Sequence, residues 1–191
     1  MMTNLNPKDF EYIKLLSWPE VFEIWRATEA SNPNWEAHYK ERGFNSWEEW
    51  RKVYSTGFRC ADREWHFYKI IDPLGSVPKF HGGPFRGWKE KYYAGDELPT
   101  FNQLIQNPEI EQHDYVRQLM NDFPKETTIT GLLADNGIVI IEGMHRCLAI
   151  ALAASLGRTV KSDISVALAD AAGETLSIVG GTRKSISKEV S

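Results

Sequence analysis

The hydrophobic and polar positions along this chain change period several times, and each change marks an element. Trp18, Val21, Phe22 and Trp25 recur at steps of three and four, which predicts a helix with one apolar face up to about Ala30. Ser17 and Glu20 form a capping box at its start, with Pro19 tolerated in the first turn. Asn32-Pro33 breaks it, and a short second helix is expected over Trp35 to Glu41, ending at Gly43. Ser46 and Glu49 make a second capping box, followed by Trp47, Trp50 and Tyr54 at helical spacing. Residues 1–16 carry no such signal and read as a loosely held lead-in.

From Glu64 the pattern turns aromatic and β-branched. EWHFYKII, residues 64–71, predicts the first strand, closed by Asp72-Pro73-Leu74-Gly75. VPKFHGGPFRGW, residues 77–88, reads as a loop holding His81, Phe85, Arg86 and Trp88; glycine permits close backbone approach to a ligand, and arginine offers a planar donor fork. The same composition suits a structural turn with an aromatic plug. A short helix over Phe101 to Gln106 and one longer helix over Glu109 to Asp122, opened by Pro108, come next. His113 and Asp114 read as a surface pair, since no third ligand stands at helical spacing from them.

The densest signal lies between Thr127 and Gly157. Ile129 to Ala134 and Ile138 to Ile141 flank Asp135-Asn136-Gly137, which predicts a β-hairpin. The second strand runs through Glu142-Gly143 directly into MHRCLAIALAAS, a helix that stops at Gly157. His145 and Arg146 therefore fall in the first helical turn, where unpartnered backbone N–H groups favour anions. They suit a phosphate or carboxylate held there; equally, Arg146 can pair with an acid and His145 pack as a satisfied ring. Val160 to Ala169 reads as a further strand, Thr175 to Val179 as a last short one, and the Gly-, Ser- and Lys-rich residues from 180 onward as a frayed tail.

The run Glu142-Gly143-Met144-His145-Arg146, followed by Ala149 and Gly157, resembles the acidic-Gly-x-His-Arg signature of the ParB/sulfiredoxin-like superfamily. The resemblance spans roughly residues 64–170 by element order and about 20 residues by motif. It implies an α/β (α+β) fold with a small mixed sheet, in which this loop and helix start hold nucleotide phosphates. Members include partition-protein CTP switches, ATP-using sulfiredoxins, free-serine kinases and nucleases, and a shared fold does not choose among them. Sulfiredoxins resemble Gly-Cys-His-Arg here; this chain has Met144, whose thioether cannot become a nucleophile. Cys147 reads as a small buried hydrophobe.

The domain reading is thus a helical extension over 1–63, the ParB/sulfiredoxin-like domain over 64–180 and a flexible tail over 181–191. The implied ligand is ATP or CTP with Mg²⁺, with Gly143, Met144, His145, Arg146 and Arg86 as phosphate-binding candidates. Glu142 and Asp72 are candidates for handling Mg²⁺ or activating an acceptor hydroxyl, and structural hydrogen bonds are the plainer role for both. The function expected is a nucleotide-dependent phosphotransferase or NTPase, or else a non-catalytic module whose binding of DNA or protein is regulated by nucleotide, with the aromatic helices as partner surface.

Composition narrows this. With 26 acids against 22 Lys plus Arg, net charge −4, the chain lacks the basic footprint of a protein living on phosphate-backbone contacts. Seven tryptophans and 42% hydrophobic residues fit one sizeable core. Two cysteines make no disulfide framework. The absence of a leader-like segment or an apolar run near 18 residues points to a soluble cytoplasmic protein. No CxxC, HExxH, GxSxG or P-loop pattern occurs, and no dedicated metal site is expected.

Overall fold

The computed structural model describes residues 5, 6 and 8–183. The fold is mixed α+β, built on a six-stranded mixed open sheet in the order β1-β2-β6-β4-β5-β3. Its first strand is a correction to the sequence reading. β1 (Phe10–Leu16) lies in the stretch expected to be a loose lead-in, yet pairs antiparallel with β2 (Trp65–Ile70). It escapes a periodicity test because it is an edge strand with an irregularity between Tyr12 and Lys14; Tyr12, Ile13 and Leu15 are all exposed.

The helices α1 (Trp18–Glu29), α2 (Pro33–Glu41) and α3 (Trp47–Gly57) are therefore an excursion between the first two strands, not an extension ahead of the sheet. The cap at Ser17 is the box the sequence indicates; at Ser46 the hydroxyl caps as expected, while the Glu49 carboxylate accepts from the Asn45 amide instead of closing the box. The Ser17 amide donates to Glu20 at 2.7 Å, and the Ser46 hydroxyl accepts from the Glu49 amide at 3.1 Å. Asn32 caps α2 by accepting from the Asn34 amide, so Pro33 opens this helix as well as closing the previous one. Trp25, Trp47 and Trp50 are buried, so these rings form core and do not present an outward partner face.

Asp72 accepts from the Gly75 amide and caps the short α4 (Pro73–Ser76). β3 (His81–Gly82) pairs parallel with β5 (Gly137–Glu142), so part of the loop expected over 77–88 is a strand, and α5 (Arg86–Tyr92) follows it. Beyond α6 (Phe101–Leu104), the single helix expected over 109–122 is two: α7 (Pro108–Glu111) and α8 (Asp114–Asn121). His113 separates them with ψ at 112°, too extended for a helix.

β4 (Glu126–Ala134) and β5 form the expected hairpin, with Gly137 at φ 124°. β5 passes through Gly143 into α9 (Met144–Ser155). Gly143 has φ 102°, and a Cβ there would stand 2.6 Å from Ile129 Cγ2, so the position requires glycine on two counts. Residues Met144 and Arg146–Ala153 are all buried, as expected of a helix apolar almost all round. β6 (Asp163–Asp170) returns parallel to β4 and antiparallel to β2, joining the two halves of the sheet. No strand forms at Thr175 to Val179; Val179 instead makes an isolated parallel bridge with Phe85. Among the described residues no helix is long and apolar enough to cross a membrane.

Candidate functional site

The β5–α9 junction, α1–α3, α5 and the segment after Val179 border one half-open cavity of about 810 Å³. Glu142, Gly143, Met144, His145 and Arg146 all line it, as does Arg86, so the two stretches that sequence order alone could not place together do meet. Asp72 is not among the lining residues; its carboxylate is engaged as a helix cap.

The floor is a buried charge cluster. Arg146 donates to Glu142, to the Thr127 hydroxyl and to the Thr128 carbonyl, the last at 2.7 Å. Arg51 pairs with Glu29, whose Oε2 also accepts from Trp47 Nε1 at 3.0 Å. All four side chains are buried, and the pairs lie close enough to act on each other's charge. Burial pushes the Glu142 carboxyl above the usual range; Arg146 opposes this and Glu29 adds to it. Glu142 Oε2 nevertheless has no hydrogen-bond partner among the described residues, although the residue is only 3% exposed.

Around this floor stand aromatic rings. His145 lies within 5.2 Å, ring to ring, of Trp88, His113 and Tyr115, and 5.9 Å from Trp35. This enclosure brings His145 down to about 3, chiefly by burial, with His113 and Arg146 adding to it. His38, against Trp35 and Trp50, falls to about 4 by burial and the nearby Arg42. Both rings are neutral near pH 7. His113 is lowered as well, again by burial first.

Three expectations change here. Arg146 is not a free phosphate donor: its guanidinium is turned into the fold and occupied. His145 adds a neutral ring rather than a positive charge. His113 is no surface residue, since its ring lines the cavity and its Nδ1 is buried without a partner. Met144 is buried beside Gly82 and contributes bulk. Cys147 is fully buried and its thiol pushed up, in keeping with a small apolar role.

No family model, no curated protein and no solved structure matches this chain.

Sequence reasoning missed Glu29, Arg51 and His113 as parts of the site. Glu29 and Arg51 lie 22 positions apart on different helices, so no spacing rule connects them. His113 had a usable signal: a residue that breaks a helix pattern while carrying a polar ring. Among the described residues, no group of three or more His, Cys, Asp or Glu is arranged to hold a metal. The Mg²⁺ implied by the resemblance would meet Glu142 with Arg146 and Arg51 beside it, and two guanidinium charges oppose a divalent cation there. The residues present do not fit a magnesium held by the protein.

Proposed function

We propose that this chain binds a nucleotide in the cavity, with the planar base among the rings of Trp35, Trp88, Tyr115 and His145. The observation carrying this reading is that one half-open cavity gathers stackable rings, a buried carboxylate oxygen without a partner among the described residues, and the cations Arg42, Arg86 and Lys91. A base edge bearing N–H groups suits Glu142 Oε2, and an aromatic wall holds any base by its face. The resemblance of Glu142–Arg146 to the ParB/sulfiredoxin-like signature supports the same ligand class.

Whether bound nucleotide is a substrate or a regulator divides the reading. Phosphotransfer or NTP hydrolysis needs a group that activates an acceptor beside the phosphates, and Glu142, turned toward the base edge in this pose, does not supply it. A regulatory role needs only binding. The acidic balance of the chain argues for small-molecule over DNA binding.

Calorimetric titration of ATP, CTP and GTP, each with Mg²⁺, into wild type and Trp88→Ala tests the proposal. Saturable binding is expected, weakened in the variant by roughly 1–3 kcal/mol for one lost stacking partner. A folded wild type that binds none of them overturns it. Nucleotide affinity should vary only shallowly with salt, whereas DNA binding would fall steeply. Release of inorganic phosphate from a bound nucleoside triphosphate by the wild type would assign the catalytic branch.

A further inference from the structure

The start of α9 is a poor place for the phosphates. Arg146 is turned inward and already donates to Glu142, Thr127 and Thr128, His145 is neutral, Met144 is buried, and the Glu142 carboxylate stands at the same junction. A phosphate there would face the Glu142 carboxylate and compete with it for Arg146.

We infer that the phosphoryl end of the ligand is held instead by the segment Gly180-Gly181-Thr182, between Arg42 and Arg86; this rests on the nucleotide reading above and specifies where its anionic part sits. The sequence reading treats this segment as the beginning of a frayed tail. It is pinned on both sides: the Val179 amide donates to the Pro84 carbonyl at 3.0 Å, the Arg86 amide to the Val179 carbonyl at 2.9 Å, and the Arg183 amide to the Arg42 carbonyl at 2.9 Å. Residues 184–191 lie outside the described residues.

These bonds tie the end of α2 to the start of α5 through two consecutive glycines at φ 97° and 125°. Such backbone lets an anion approach main-chain N–H groups closely, which a Cβ would hinder. Gly180, Gly181 and Thr182 line the cavity together with Arg42, Arg86 and Lys91. Glu41 and Glu90 also border it and offset part of that charge. Arg86 Nε reaches the Gly180 carbonyl at 3.4 Å, which keeps the guanidinium beside the glycines.

A run of rings leads inward from this mouth. A Cβ on Gly180 would stand 3.2 Å from the Tyr54 hydroxyl; Tyr54 meets Trp50 at 5.5 Å, Trp50 meets Trp35 at 5.6 Å, and Trp35 meets His145. The unpartnered Glu142 Oε2 in the same cavity is an independent sign of a ligand, since a buried acceptor without a donor carries the full cost of desolvation. Phosphate at the glycine segment and a base N–H toward Glu142 satisfy both features with one molecule.

Tryptophan fluorescence, with Trp35 and Trp88 as reporters, can follow nucleotide, matching nucleoside and inorganic pyrophosphate in wild type, Arg42→Gln and Gly181→Ala, with folding checked by thermal melting. Each substitution should weaken nucleotide and pyrophosphate about tenfold or more, the scale of a lost charge-assisted hydrogen bond, and leave nucleoside affinity unchanged. Should Gly181→Ala fail to fold, Arg42→Gln carries the test. Undiminished nucleotide affinity in the folded variants overturns the location while leaving the nucleotide reading intact. Equal affinity of wild type for nucleoside and nucleotide likewise removes the phosphate subsite. Binding of neither removes the nucleotide reading and this inference with it.

Discussion

Glu142 and Arg146 stand four residues apart across the β5–α9 junction, and each buries its charge against the other. That pairing settles Arg146 as part of the fold's interior. Removing one partner strands a buried charge, so Arg146→Ala should cost roughly 3–5 kcal/mol of unfolding free energy. Replacing both, as in Glu142→Leu with Arg146→Met, should cost less than Arg146→Ala alone. Urea denaturation of wild type and the two variants checks this; a double variant as unstable as Arg146→Ala, or more so, would contradict it.

The neutral imidazoles predict an acid limb of stability. Unfolded, both rings take a proton near 6.5; folded, His145 does so only at about 3 and His38 at about 4. Between these values the unfolded chain binds more protons. Their contribution is therefore complete above pH 6.5 and is lost as pH falls below it, by up to about 1.4 kcal/mol per pH unit for each ring. His145→Gln should flatten the stability curve between pH 6.5 and 4. An unchanged slope in that variant would show that His145 is not the group responsible.

Gly143→Ala should destabilise the fold by about 1–3 kcal/mol from its left-handed backbone alone, and further because the new Cβ would press on Ile129 Cγ2. Gly87→Ala is the control, since nothing lies within 4 Å of a Cβ at that position and its φ is not left-handed. Equal chemical denaturation midpoints for the two variants would contradict the assignment.

Neither cysteine should be reactive in the native protein. Burial pushes the Cys60 thiol up to about 12 and Cys147 higher still. Ellman's reagent should titrate no thiol before denaturation and two afterwards; prompt reaction in the native state would show that one of them opens to solvent.

Much of the framework was legible because it depends on contacts between near neighbours in the chain. The Ser17–Glu20 and Ser46–Glu49 caps, the turn before Gly137, the single glycine between β5 and α9, and the apolar length of that helix follow from backbone preference and local hydrogen bonding. The mixed α+β class follows from the succession of those periods. β1 was hidden because an exposed edge strand buries neither face consistently.

The site was decided by what the tertiary structure brings together. Whether Arg146 faces a ligand or an acid depends on Thr127, Thr128 and Glu142 meeting at one place, and the charge state of His145 on three rings from α2, α5 and α8 and a fourth, His113, from the link between α7 and α8. The role of Gly180 and Gly181 depends on Arg183 reaching Arg42, some 140 positions earlier in the chain. The sequence by itself determined the elements and the glycines that join them, because steric limits and local hydrogen bonds act between neighbouring residues. Only the tertiary structure decided burial, pairing and protonation, because these arise from the field and exclusion of solvent produced by groups that are distant along the chain and close in space.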